Sequence, residues 1–336
     1  MCDKKLNEEK IAIYMKNSLS VLFIGHIAID SIIRFKQKRK PSLGGSVTFG
    51  SLGLRKYTKS TKIGIISNLG IINFDKSLLK RFDNKSINIS GVKSFETENT
   101  NFVLNYSNHS RTLTLKSRSP NLKFKDIPEF YKTNLPNIIV LVPLCNEVSF
   151  EYVLKISVEF PNAFIGIDLQ GFIRNVDDEG KISFISDEAI IANMKKIISL
   201  IGDRLILKGS EIEMKLLSGE TELQKVMESF KRFENKAIYI MTLGEGGSMI
   251  LKNGEKLLKI PAFKPKTVMD ETGAGDIYLA IFLYELINSD MSWNAVESAG
   301  YIASAAASFL IEKKGPTGYE TKNKVLKRLE SKNYIN

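Results

Sequence analysis

The stretch Asp270-Glu271-Thr272-Gly273-Ala274-Gly275-Asp276 runs directly into the apolar positions Ile277, Leu279, Ala280, Ile281, Leu283, Tyr284 and Ile287. Apolar residues at that density predict a buried helix, and the glycines ahead of it predict a tight turn opening into the helix. Such a turn presents successive backbone N–H groups beside the positive end of the helix dipole, which suits a phosphate or another developing anion. Asp276 either caps the helix or points into a cleft and accepts a proton from a hydroxyl. Taken alone, Gly-Ala-Gly-Asp is also an ordinary turn with an aspartate cap. No Gly-Lys-Ser/Thr follows the glycines, so this is not a Walker-type phosphate loop.

Outward from that turn, short apolar runs alternate with helical patterns. Val21-Leu22-Phe23-Ile24, Ile63-Gly64-Ile65-Ile66, Ile138-Ile139-Val140-Leu141, Phe164-Ile165-Gly166-Ile167, Leu205-Ile206-Leu207 and Ile238-Tyr239-Ile240-Met241 read as buried strands. Strands separated by helices predict an α/β fold with a mostly parallel sheet, whose ligands sit outside the carboxyl ends of the strands. Asp30, Asp168 and Lys208 follow or end such runs. Asp30 suits substrate hydroxyls, or forms a surface turn. Gly44-Gly45 allows backbone to approach a ligand, or simply bends the chain. From Ile87 to Leu115 the period changes to two, around a turn at Asn108-His109-Ser110, which predicts a small separate sheet. Ser210 and Glu213 have the spacing of a capping box. Thr242-Leu243-Gly244-Glu245-Gly246-Gly247 is compatible with a plain hairpin turn.

These motifs, in this order, resemble the ribokinase-like, or PfkB, carbohydrate kinase family over roughly Val21 to Pro316. The Gly44-Gly45-Ser46-Val47-Thr48 and Asp168-Leu169-Gln170-Gly171-Phe172 segments are similar to an archaeal, inositol-kinase-like branch. The resemblance implies a three-layer α/β sandwich with a mostly parallel central sheet and a small β-sheet lid, formed by about residues 31–42 and 87–118 within a domain spanning 21–336. It implies an ATP- and Mg2+-dependent kinase of a sugar, polyol or nucleoside hydroxyl. Asp276 then falls in the role of base, and Gly273, Ala274 and Gly275 form the anion hole. Asp30, Gly44, Gly45, Phe49, Arg111 and Arg174 fall on the acceptor side, and Lys208, Ser210, Thr242, Gly244 and Gly247 on the nucleotide side. Glu213 and Asp168 are the metal candidates, acting through water. Two positions depart from the family pattern: Phe49 and Ser210 each stand where asparagine is usual. They motivate the alternative of a non-catalytic carbohydrate- or nucleotide-binding protein that keeps the fold.

Composition excludes several other classes. Of 336 residues only Cys2 and Cys145 are cysteines and two are histidines, too few for a disulfide framework or a structural zinc site. The net charge of +11 invites a nucleic-acid reading, yet outside Lys36, Lys38, Arg39 and Lys40 the basic residues are scattered and no nucleic-acid motif accompanies them. The longest weakly polar run, Ala299 to Ile311, is too short to span a bilayer. The expectation is a cytoplasmic enzyme with a small-molecule acceptor and no nucleic-acid or membrane partner. Residues 1–20 read as an N-terminal extension, and an exposed lid edge would permit a homodimer.

Overall fold

A computed structural model describes residues 19–34, 37–38, 41–83, 85–107, 110–184 and 187–335. Most of the expected N-terminal extension, part of the first lid segment and the turn residue His109 lie outside the described residues.

A nine-stranded sheet runs, edge to edge, Leu258–Ile260, Ser248–Lys252, Ile238–Thr242, Leu205–Ser210, Phe164–Asp168, Ile138–Leu141, Ser20–Ile24, Lys62–Gly70 and Asn88–Phe95. Every pairing from Ile238–Thr242 to Asn88–Phe95 is parallel, and an antiparallel hairpin completes the other edge. The continuous apolar runs follow from burial on both faces. Val21, Phe23, Ile138 and Val140 enter one apolar layer, while their neighbours Leu22, Ile24, Ile139 and Leu141 enter the other. The first layer is covered by helices Ser46–Tyr57, Ala274–Ile287, Trp293–Leu310 and Lys322–Ser331. Helices Phe150–Glu159, Glu188–Ile201, Glu211–Ser218 and Leu223–Ser229 cover the second. Among the described residues no helix is long and apolar enough to cross a membrane.

The small sheet centres on Ala28–Arg34. It pairs antiparallel with Gln37–Lys38 and Ser42–Gly44, and parallel with Asn101–Ser107, whose other neighbour is the antiparallel strand Ser110–Ser117. One boundary differs from the expectation. Asn88–Phe95, assigned to the lid from its period-two pattern, instead extends the large sheet in parallel with Lys62–Gly70. An edge strand of the large sheet is half-buried, so it shows the same alternation as a lid strand; Ile89 and Val92 pack onto the main core. The lid sheet has its own apolar cluster, in which Ala28 and Phe102 meet Leu144 and Cys145 of the large domain.

Candidate active site

The glycine turn sits where the first strands' carboxyl ends open. Gly273 precedes the helix Ala274–Ile287 with φ 85° and ψ 0°, and no side chain caps that helix. A side chain at Gly273 would be strained by the positive φ, and its Cβ would lie 2.1 Å from Phe49 Cδ1. Buried Asp270 fixes the loop's entry: one carboxylate oxygen accepts from Thr272 N (3.1 Å) and the other from Gly315 N (3.2 Å). Ala274 N donates to Glu271 O at 3.2 Å, and the next amides, of Gly275 and Asp276, are first-turn groups that helix geometry leaves over as donors. Asp276 is the third helical residue and lines the cleft rather than capping the helix. Burial and then the Asp168 charge push its carboxyl up to about 6, against the opposing pull of Lys208, the Ser46 hydroxyl and Arg174.

Under the turn lies a buried charge cluster. Lys208 Nζ is 2.5 Å from Asp168 Oδ2, and a Cβ on Gly275 would lie 2.6 Å from that same Nζ. Burial opposes the Lys208 charge, but Asp168, Glu213 and Asp276 outweigh it and hold the ammonium above its ordinary range. The other Asp168 oxygen accepts from Gln170 N at 3.3 Å. Glu213 and Ser210 form a reciprocal capping box: Glu213 Oε2 accepts from Ser210 N (2.7 Å) and Ser210 Oγ from Glu213 N (3.4 Å). Burial and the Asp168 charge raise the Glu213 carboxyl above its usual range. Arg174 donates through Nη1 to Leu144 O (3.1 Å); burial lowers its pKa, and the neighbouring carboxylates resist that shift.

Two cavities flank the turn. The first, about 200 Å3, is lined by Asp30, Gly45, Ser46, Gln170, Arg174, Lys208 and Asp276, with apolar Phe102, Leu113 and Leu144. The second, about 520 Å3, includes Thr242, Gly244, Gly247, Phe263, Val268, Tyr278, Ala307 and Ile311. Glu271, Ala274 and Gly275 line both, so the turn is the partition between them. Beside this wall, on the smaller cavity, the buried Thr272 hydroxyl has no hydrogen-bond partner among the described residues and could donate to a phosphate oxygen.

The structure brings Asp30, Gly45, Phe49, Arg174, Lys208, Gly273, Ala274, Gly275 and Asp276 to the smaller cavity, and Thr242, Gly244 and Gly247 to the larger. Gly44 lies beneath the Asp30 carboxylate, where a Cβ would fall 2.1 Å from Oδ2. Lys208, expected on the nucleotide side, faces the smaller cavity, where it pairs with Asp168 at the end of the neighbouring strand. Ser210 is spent on capping a helix. Phe49 borders the smaller cavity but is only 1% exposed, with its ring pressed on Gly273. Ser304, Ala307 and Ser308, on a helix face attributable to close packing alone, also line the larger cavity. Arg111 lies in the lid strand Ser110–Ser117; its side chain is outside the described residues. Ser46, Gln170, Phe102, Leu113 and Leu144 were not singled out from sequence. Gln170 alone carried a signal, as the polar residue two places after Asp168.

Comparison with known proteins places these features. A nucleoside kinase of Methanocaldococcus jannaschii is 41% identical over 92 residues, 27% of this chain and 29% of that relative. A 5-dehydro-2-deoxygluconokinase of Clostridium botulinum is 26% identical over 313 residues, 86% of each chain. Among solved structures, a fructokinase with bound ATP from Xylella fastidiosa has a TM-score of 0.75 at 15% identity, covering 93% of this chain and 98% of that one. A pyrophosphate-dependent kinase in the ribokinase family, complexed with a pyrophosphate analog and myo-inositol, has a TM-score of 0.71 at 18% identity, covering 91% and 99%. Likenesses at that identity carry the fold. The model for the pfkB family carbohydrate kinases matches residues 50–322, and the chain belongs to that family.

Proposed function

We propose that the protein transfers the terminal phosphoryl group of ATP to a hydroxyl of a small sugar, polyol or nucleoside, with Asp276 as the base. The observation that carries this reading is the shared wall: Glu271, Ala274 and Gly275 separate a charged cavity holding Asp276 from a larger, mostly apolar one. A hydroxyl on one side and a donor phosphate on the other meet at the turn. A carboxyl near 6 takes up a hydroxyl proton at neutral pH more readily than an ordinary aspartate does. The amides of the turn stabilise charge on the transferring group, and positioning and electrostatics do most of the work in phosphoryl transfer. Arg174, Lys208 and the Thr272 hydroxyl border the same point.

The apolar lining around Val268, Ala307 and Ile311 has room and surface for a nucleobase, which supports ATP over a donor made only of phosphates. Mg2+, when bound, neutralises charge on the donor phosphates. Its two candidates, Asp168 and Glu213, line neither cavity and would hold it only through water; Asp168's oxygens are engaged by Lys208 and Gln170, and one Glu213 oxygen by Ser210 N.

For the acceptor, a cyclic polyol such as myo-inositol or a nucleoside is favoured over free ribose. The position of Phe49 supplies no amide to bind a hydroxyl, and Phe102, Leu113 and Leu144 give the cavity one apolar side. Comparing kcat/KM for ribose, fructose, myo-inositol, cytidine and adenosine tests this. Ribose preferred by about tenfold over every inositol and nucleoside would reject the acceptor assignment and leave the transfer reaction standing.

A further inference from the structure

The apolar cluster under the lid is separate from the two main layers, and the seam between them is polar. His26, Asn99, Thr100, Ser119 and Glu147 are each at most 2% exposed there. His26 stands between the large-sheet strand Ser20–Ile24 and the lid strand Ala28–Arg34. Its Nε2 is 3.0 Å from Pro120 O and its Nδ1 2.8 Å from Thr100 Oγ1. A carbonyl only accepts, so Nε2 carries the proton and Nδ1 accepts from the Thr100 hydroxyl. That hydroxyl oxygen in turn accepts from Ser119 N at 3.0 Å. Thr100 immediately precedes the lid strand Asn101–Ser107, and Ser119 and Pro120 follow the lid strand Ser110–Ser117. One imidazole therefore ties three passages of the chain between the large sheet and the lid.

Glu147 seats that imidazole. It accepts from His26 N (3.0 Å), Leu144 N (2.8 Å) and Cys145 N (2.8 Å), and Leu144 lines the acceptor cavity. Glu147 is fully buried, and these three backbone amides satisfy its carboxylate. His26, Cys145 and Glu147 have ligand atoms within 4.8 Å of one another. Both ring nitrogens and both Glu147 oxygens already have protein partners, which makes the group a joint and not a cation site.

We propose that His26, seated on Glu147, is a positioning residue that sets the angle of the lid over the acceptor cavity, on the reading that the small sheet is the lid of the transfer reaction proposed above. Directional hydrogen bonds fix an angle more sharply than apolar contact does, and this seam is made of them. Loss of the ring takes one partner from the Thr100 hydroxyl, which keeps Ser119 N, and one from the Pro120 carbonyl, which keeps Asn68 Nδ2, and the lid loses the tie that fixes its pose. The acceptor then binds more weakly and water enters during transfer. The nucleotide cavity, lined by other elements, is unaffected.

His26→Leu and His26→Gln test this in the full chain; the glutamine amide can still donate to Pro120 O. The expected result for His26→Leu is an acceptor KM raised about tenfold, the loss of one buried hydrogen bond or more. The nucleotide KM should stay within about twofold, and acceptor-independent ATP hydrolysis should rise relative to transfer. His26→Gln should recover most of the difference. Hydrogen exchange reads the same joint without catalysis: amides of Ala28–Asp30 and Asn101–Val103 should exchange about tenfold faster in His26→Leu. A folded His26→Leu with unchanged acceptor KM and unchanged exchange would overturn the proposal. Should that variant fail to fold, the wild-type imidazole 15N spectrum decides: a neutral Nε2–H ring at about pH 7 supports the joint, and an Nδ1–H or charged ring overturns it. Wild-type enzyme that phosphorylates no acceptor would reject the reaction, and the exchange result would still judge the joint.

Discussion

The two cavities beside the Gly273 turn are built by opposite means. The smaller, about 200 Å3, is bordered by Asp30, Arg174, Lys208 and Asp276, charged groups from three strands and the first turn of a helix, and is the proposed acceptor side. On the nucleotide side about 520 Å3 is bordered by Phe263, Val268, Tyr278, Ala307 and Ile311, from loops and helix faces. One side supplies fixed charge, the other volume and apolar surface. Substitutions that alter charge on the acceptor side should therefore change rate and stability, and substitutions that alter volume on the nucleotide side should change donor affinity.

The largest expected effect is at Asp276. Asp276→Asn should lower phosphoryl transfer by roughly 10²–10⁴ with ATP binding retained, read by steady-state kinetics with a binding titration. The same variant should be the more stable one near neutrality. The folded carboxyl is raised from 3.8 to about 6, so the native state holds the extra proton and wild-type stability falls as pH rises through that window. Asparagine removes that loss. Next is Lys208→Met, which leaves Asp168 buried without its partner and should destabilise by about 3–5 kcal/mol in denaturant unfolding. The double variant Lys208→Met, Asp168→Leu should recover part of it.

Gly275→Val should reduce turnover by roughly 10²–10³, more than the accompanying loss of thermal stability explains in the protein that remains folded. The added Cβ meets the Lys208 ammonium at 2.6 Å, and that ammonium is held by Asp168 and cannot swing aside freely. Equal turnover in a folded variant would make the turn a helix start only. The smallest effect crosses to the other cavity. Ala307→Leu fills space on the nucleotide side and should raise the ATP KM by about tenfold with the acceptor KM unchanged. A change in acceptor KM instead would show that the partition does not separate the two functions.

The contrast between the cavities also explains what sequence revealed. Gly273 to Asp276 and Thr242-x-Gly244-x-x-Gly247 are contiguous, and their chemistry depends on local backbone shape, which a short motif specifies. The buried strands were legible because burial on both faces leaves unbroken apolar runs, as at Val21 to Ile24. Phe49 borders the smaller cavity as expected, but that its ring packs on Gly273 was not legible, because helix Ser46–Tyr57 packing on helix Ala274–Ile287 is a tertiary contact with no local pattern. Ser304, Ala307 and Ser308 lie in the weakly polar run Ala299 to Ile311, where small residues carry no pattern that separates packing from a cavity wall. Small residues serve both ends: Gly300 in the same helix packs tightly on Ile250 and Ile260, while these three leave room beside the turn. Asn88–Phe95 was assigned to the lid because an edge strand of either sheet alternates alike. Phe102 and Leu144 come from distant parts of the chain and meet only through the lid's pairing, which periodicity does not encode.

The pH dependence of transfer tests most directly whether Asp276 is the base at this partition. With wild-type enzyme and a transferred acceptor, kcat/KM should fall as pH drops through about 6, where the Asp276 carboxyl takes up its proton. Because Lys208 lowers that value, the limb should move to higher pH in a folded Lys208→Met variant. A wild-type profile that stays flat down to about pH 4.5, near an ordinary carboxylate, would contradict the assignment.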